Sequence, residues 1–278
     1  MVYEILKFDE YKEARGKGSY DKGVLSTTLS KWSEFYDEIR LFREHRDYVW
    51  RGQRRGYPEW KLQSKFDRRL VYSDERERKK ILKEHLDQFQ KAIRGRRGTN
   101  PPKLNEDELW ALGQHYGLVT PFLDWTESPF AAAYFAFVKS VDGKKKNEGK
   151  RVVYGLNRDI VRWHQQTISI SQKERLSKKE QFVEFPPIET HENVRFLAQA
   201  CVSTKSLKGQ DIKQRVQRCY HEKNHKNRII LVEISIGDSE REECLRDLSM
   251  MNINHASLFP DIEGAAKFCN LKLEIDKQ

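Results

Sequence analysis

Apolar residues recur along this chain in two rhythms, and the rhythm changes every ten to thirty residues. Trp32, Phe35, Ile39 and Phe42 lie three or four apart with charges between them, which predicts a helix. Leu82, Leu86, Phe89 and Ile93 form the apolar seam of a highly charged helix over Glu75–Arg94. Leu109, Leu112 and Tyr116 predict a third helix, opened by Asn105 as cap with Glu108 at the capping-box position. A fourth begins at Ser128-Pro129, where proline at the first helical position loses nothing by lacking an N–H. Phe130, Ala133, Tyr134 and Phe137 are its apolar face, and Ala131-Ala132-Ala133 permits close packing.

Shorter stretches read as strands. Tyr48–Gln53 ends in a glycine turn, and alternation puts Val49 and Arg51 on one face and Trp50 on the other. Arg151–Leu156 and Arg228–Ile236 are two more, the latter the clearest in the chain. Asn193–Thr204 predicts a helical turn or loop running into a strand, and Ile253–Phe259 a short strand. Ser239 with Glu242 caps a helix carrying Cys244, Leu245, Leu248 and Met251, and Pro260-Asp261 starts the last helix. Residues 1–28 read as an edge element and a loop kept mobile by Gly16, Gly18 and Gly23. Asn157–Pro187 carries weak signals and is expected to be an irregular, exposed insertion. Strands and helices alternate without a βαβ period, so the expected class is α+β with a split or mixed sheet, in one domain over residues 1–278.

Charge narrows the partners. The chain has 278 residues, 34% of them charged, and a formal net charge of +10. Nucleic acid, nucleotide phosphates or an acidic partner are favoured electrostatically, and a solvated basic face accounts for the same excess. The exposed-looking stretch Arg94–Lys103 (RGRRGTNPPK) is the local candidate for a phosphate-backbone patch. Cys201, Cys219, Cys244 and Cys269 form no paired motif and read as reduced thiols. The N-terminal residues are too charged for a signal peptide, and no stretch approaches the ~20 apolar residues of a membrane span. A cytoplasmic location without membrane attachment is expected.

Candidate chemistry gathers between Trp110 and Phe137. His115, Thr120, Asp124 and Thr126 are set among Phe122, Leu123 and Trp125. A carboxylate in such surroundings needs a partner or a task, although Asp124 and Thr126 also suit a turn ahead of a helix. Arg51 before Gly52 can meet a phosphate or carboxylate bidentately while the backbone comes close, or it is an exposed strand-end arginine. His221-Glu222-x-x-His225 matches a zinc motif literally, but its flanks are polar and a strand follows at once. No metal is expected there. Walker loops, GxGxxG and GxSxG do not occur.

Several of these stretches together resemble the FRG domain family. They are Trp50-Arg51-Gly52-Gln53, Gln114-His115-Tyr116-Gly117 through Thr120, Leu123-Asp124-Trp125-Thr126, Ser128-Pro129 and Ala132-Ala133-Tyr134-Phe135-Ala136. Leu258-Phe259-Pro260-Asp261 followed by Gly264 resembles the closing motif. The resemblance runs from about Trp32 to Phe268, with residues 28–270 best covered. In motif order the family is similar to the ADP-ribosyltransferase superfamily. That likeness implies a split mixed sheet with flanking helices and NAD as substrate. It also implies transfer of ADP-ribose to a protein or nucleic-acid acceptor, as in a bacterial toxin or an anti-phage effector. It places Arg51, His115, Asp124 and Gln199 in catalysis, and Arg51, Gly52, Gln53, Tyr116 and Thr126 around the dinucleotide. Where those transferases carry a glutamate, the stretch Arg195–Thr204 offers Gln199. Asp124 then supplies the anion, or the site binds without turning over. Two alternatives stand beside this: a non-enzymatic nucleic-acid or nucleotide-binding module, and a metal-independent nuclease using His115 and Arg51.

Overall fold

The computed structural model describes residues 5–45, 47–56, 59–140, 149–159, 161, 183–188, 198–206, 209–220 and 225–276. Seven strands form one mixed sheet. In chain order they are β1 (Ser19–Asp21), β2 (Val24–Leu29), β3 (Tyr48–Gln53), β4 (Phe122–Thr126), β5 (Lys150–Asn157), β6 (Cys201–Lys205) and β7 (Leu231–Gly237). Across the sheet the order is β1-β2-β7-β5-β3-β4-β6. Only β2 and β7 run parallel; the other neighbours are antiparallel.

The described helices are α1 (Phe8–Arg15), α2 (Phe35–Arg40), α3 (Lys65–Arg69), α4 (Glu75–Ala92), α5 (Glu106–His115) and α6 (Pro129–Phe137). They continue with α7 (Ile212–Cys219), α8 (Arg241–Met250), α9 (His255–Leu258) and α10 (Ile262–Asp276). None is long and apolar enough to cross a membrane.

Two cores follow from the alternation of β3. Tyr48 and Trp50 join the core that contains α6, α8 and the residues of α2, while Val49 joins the core on the other face, with α7. A third, smaller core seats α4 and α5 against Phe122 at the head of β4. Two glycines make room on the α6 face. A Cβ on Gly155 would lie 2.7 Å from the Trp50 indole, its cross-strand partner. A Cβ on Gly52 would lie 1.8 Å from the Ala132 carbonyl oxygen and 2.6 Å from the Ala136 nitrogen. The alanine run of α6 therefore lies directly on the β3 backbone.

β3 and β4 are the weakest neighbours in the sheet. A single residue pair, Trp50 with Thr126, joins them, against six pairs between β3 and β5 and five between β4 and β6. The sheet is continuous, not split, but it opens at this line.

Several expectations are corrected. Residues 5–28 hold more than an edge strand and a loop: β1 does lie at the sheet edge, but α1 is a helix whose only buried residue is Tyr11, and β2 lies inside the sheet. Such a charged helix leaves no apolar rhythm to read. Gly16 ends it in a left-handed conformation (φ +63°), and Gly23 (φ +85°) turns β1 into β2, so these glycines fix the chain. Asp124 and Thr126 lie on β4, a strand inside the sheet, not in a turn. Ile253–Phe259 is not a strand. Asn254 accepts bonds from the Ala256 and Ser257 N–H groups and starts α9. Ser239 caps nothing: a short 3-10 turn, Asp238–Glu240, leads into α8 without a side-chain cap. Within the expected exposed insertion, Val183 is buried and Glu184 bridges to Lys205. Most of that stretch, together with Arg195 and His221, lies outside the described residues. His225 is buried beside the Tyr220 ring.

Candidate functional site

α5 ends over β4 and β6, and the space beneath its last turn is a cavity of about 160 Å³ with a mixed polar and apolar lining. Ala111, Gln114, His115, Asp124, Gln199, Cys201, Ser203 and Phe259 line it. Local sequence explains how each gets there. Asn105 and Glu108 close the capping box that sets the start of α5, and Leu109, Trp110 and Ala111 bury its inner face. The last turn then carries Gln114 and His115 outward from that core. β4 alternates, so Leu123 and Trp125 enter the α7-side core and Asp124 points the other way. Opposite it on β6 stands Ser203, and opposite Thr126 stands Cys201. Phe259 follows α9 and is held by the His255 ring stacked on it at 4.4 Å, while Tyr134 of α6 bonds His255 Nδ1 at 2.9 Å.

The Asp124 carboxylate is held from two sides. Gln114 Nε2 and Ser203 Oγ, the latter at 3.3 Å, both donate to Asp124 Oδ1. Gln114 is oriented in turn by the buried Thr120, whose hydroxyl donates to Gln114 Oε1. Gln199 is held at backbone and side chain: Thr126 Oγ1 donates to its backbone carbonyl at 2.7 Å, and its side-chain Nε2 donates to the Leu258 carbonyl at 3.0 Å. Its side-chain amide oxygen has no partner among the described residues. Burial and the neighbouring Asp124 push the Cys201 thiol above its ordinary range, with Arg51 opposing them. The thiol is protonated at neutral pH and is a poor nucleophile there.

The cavity unites His115, Asp124 and Gln199, three of the residues singled out in the sequence. The others stand elsewhere. Arg51 does not line it. Trp50 pairs with Thr126, so Asp124 shares the Trp50 face and Arg51 leaves β3 on the opposite one, across from Tyr154. Its Nη1 reaches the gap between the strands and donates to the Asp124 backbone carbonyl at 2.6 Å, not to the carboxylate. Burial pulls the Arg51 pKa down to about 10, partly offset by Asp124, which leaves it charged at neutral pH. Arg51 and His115 thus do not share the cavity. The Thr126 hydroxyl is taken up by Gln199 and by the Ser128 N–H, which donates to it at 3.1 Å. Gly52 is covered by α6, and Gln53 is buried with both ends of its amide unpartnered among the described residues. Tyr116 caps α5, largely exposed, with its ring edge-on to His115 at 4.9 Å.

Gln114, Cys201, Ser203 and Phe259 were not singled out as site residues. Gln114 was legible as the neighbour of His115 at the end of a capped helix. Ser203 became visible only through the β4–β6 register, which no local pattern encodes.

The fold is a mixed α+β arrangement, a seven-stranded sheet with flanking helices. Residues 46–145 match the FRG domain model. That span carries β3, α5, β4 and α6, and so supplies Gln114, His115 and Asp124; Gln199, Cys201, Ser203 and Phe259 come from beyond it. Comparison with curated proteins and with solved structures gave no match.

Proposed function

We propose that the cavity is the reaction centre of an NAD-dependent ADP-ribosyltransferase that modifies a macromolecule. The observation that carries this reading is the pre-set Asp124 carboxylate, held by Gln114 and Ser203 in a small cavity that also presents His115 and Gln199. Drug-sized ligands occupy roughly 300–1,000 Å³. A cavity of about 160 Å³ therefore admits a pentose-sized fragment, with the rest of the dinucleotide outside it. In this reading the bond from ribose to nicotinamide breaks and its electron pair leaves with the neutral nicotinamide. Asp124 opposes the positive charge that develops on the ribose carbon. The Gln199 amide oxygen accepts from a ribose hydroxyl. The acceptor's nucleophile attacks, and His115 takes its proton. Tyr116, beside His115, offers an exposed ring to a base. Arg51 acts as a positioning residue, bracing through its carbonyl the strand that carries Asp124. A toxin or anti-phage role is consistent with such chemistry and is implied by the resemblance alone.

The test is nicotinamide release on incubation with NAD, with and without cell lysate as acceptor source. Wild-type protein releases nicotinamide. Asp124→Asn keeps the shape, melts within a few degrees of wild type and loses ~100- to 1,000-fold in rate, the scale of losing one preorganised group at a charge-developing centre. Wild-type turnover by a normally folded Asp124→Asn variant would rule out the catalytic role. No release by the wild type under either condition would rule out the reading. The second reading, a non-enzymatic module that binds nucleic acid or nucleotide, draws on the exposed basic loop around Arg94–Lys103, and salt-sensitive binding without nicotinamide release would favour it.

A further inference from the structure

On the sheet face opposite Asp124 and at the end of β3 arginines gather, and among the described residues the carboxylates at this end, Glu59 and Asp238, pair with Arg55. Arg51 leaves β3 on that face with its Nε shut from solvent and without a partner among the described residues. Two residues along, Gln53 is 2% exposed, and neither end of its amide has a partner among the described residues. Nearer the surface, the chain after β3 places the Arg54 guanidinium 5.5 Å from the centre of the Trp60 ring. From α3, Arg68 lies over the same ring at 6.0 Å. Trp60 itself is 37% exposed. Arg68 is close enough to Arg51 for its charge to contribute to the lowering of the Arg51 pKa.

Among the described residues no carboxylate forms an ion pair with Arg51, Arg54 or Arg68. Asp67, next to Arg68 in sequence, is engaged by Arg78 at 2.7 Å and by the Ser64 hydroxyl. The Asp124 carboxylate points to the other face. Among the described residues Arg54 gives one weak bond, to the Ser140 carbonyl at 3.3 Å, which leaves most of its fork unused. Gathering like charges costs free energy that the packing around Trp60 must offset, and an anion removes that cost. Guanidinium forks match phosphate oxygens in pairs, and an indole beside them offers a face on which a base stacks.

We propose that Arg54, Trp60 and Arg68, with Arg51 behind them, form a binding site for nucleotide phosphate, carried by a free nucleotide or by a single strand of nucleic acid. The site shares no lining residue with the Asp124 cavity and does not depend on NAD turnover.

The probes are AMP and a short fluorescein-labelled oligouridine, titrated separately against the full chain. Quenching of tryptophan fluorescence by either probe is expected in the wild type and is reduced in Trp60→Phe. An Arg54→Gln/Arg68→Gln double variant, confirmed folded by its melting curve, is expected to bind at least ~10-fold more weakly. For the oligonucleotide, the slope of log K against log salt should become shallower by about 1.4, from two lost phosphate contacts on a single strand. An Arg96→Gln/Arg97→Gln variant in the exposed loop is the control for general surface charge. Binding of both probes identifies nucleotide phosphate itself as the ligand; binding of the oligonucleotide alone identifies a strand. The proposal is overturned by a wild type that binds neither probe, or by quenching that is the same in Trp60→Phe. It is equally overturned by a loss in the loop variant as large as in the double variant.

Discussion

Arg51 and Gly52 are adjacent, and their side-chain positions meet different demands. The arginine braces the neighbouring strand through the Asp124 carbonyl, while the glycine lets α6 lie against β3. In the sequence the pair suggested backbone drawn close to a ligand. The close approach is real, but the approaching group is a helix. Gly52→Ala is therefore expected to act on stability first. Its methyl would meet the backbone of Ala132 and Ala136, which cannot rotate away as a side chain can. A loss of about 3 kcal/mol or more, at or above the upper end of ordinary overpacking, is expected in urea unfolding. A variant that unfolds at the wild-type midpoint would mean that α6 can shift without penalty. Asp124 was legible for a sound reason, a carboxylate among large apolar neighbours. Of its partners, Gln114 was legible only as the neighbour of His115, and Ser203 was not legible at all, because it arrives through strand pairing.

At the scale of elements, the legible pieces are those with a local signature. The seam of α4, the proline start of α6 and the capping box of α5 all stand where the pattern puts them. The illegible pieces lack one. α1 is too charged to show an apolar face, and α9 is decided by one Asn254 cap in a stretch whose apolar content resembles a strand. The α5 cap gives a clean test, because Asn105 and Glu108 bond each other's backbone at the end of the helix remote from His115. Asn105→Ala is expected to cost about 1 kcal/mol in urea unfolding, and Asn105→Asp close to nothing, since aspartate caps equally well. Equal losses in the two variants would show that the side-chain oxygen does not hold the helix start.

For the whole molecule, the opening between β3 and β4 sets where the sheet gives way. One residue pair joins those strands, while seven join β5 to β7. Native-state hydrogen exchange is expected to release the amides of β4 and β6 at lower free energy than those of β5 and β7. The cavity lies on the looser side, where α5, β4 and β6 meet. Uniform protection across all four strands would show that Arg51 and the packing of α5 substitute fully for the missing ladder. Neither this line of weakness nor the strand order was legible in the sequence, because both depend on pairings between distant segments.

The parallel pairing of β2 with β7 bears on how the chain is made. Val24 pairs with Leu231 and Leu29 with Ile236, partners more than 200 residues apart. On a ribosome adding ~5–20 residues per second, β2 waits roughly 10–40 s for its neighbour. β5 faces the same absence on one side, because β7 is inserted between the two. Until β7 emerges, the nascent chain holds two apolar strands with open edges, the form most open to capture by a chaperone or by another unfinished chain. The last-made strand of the sheet is thus the one that closes its middle, and synthesis halted before Leu231 leaves an aggregation-prone product even though the FRG-matching segment is already complete.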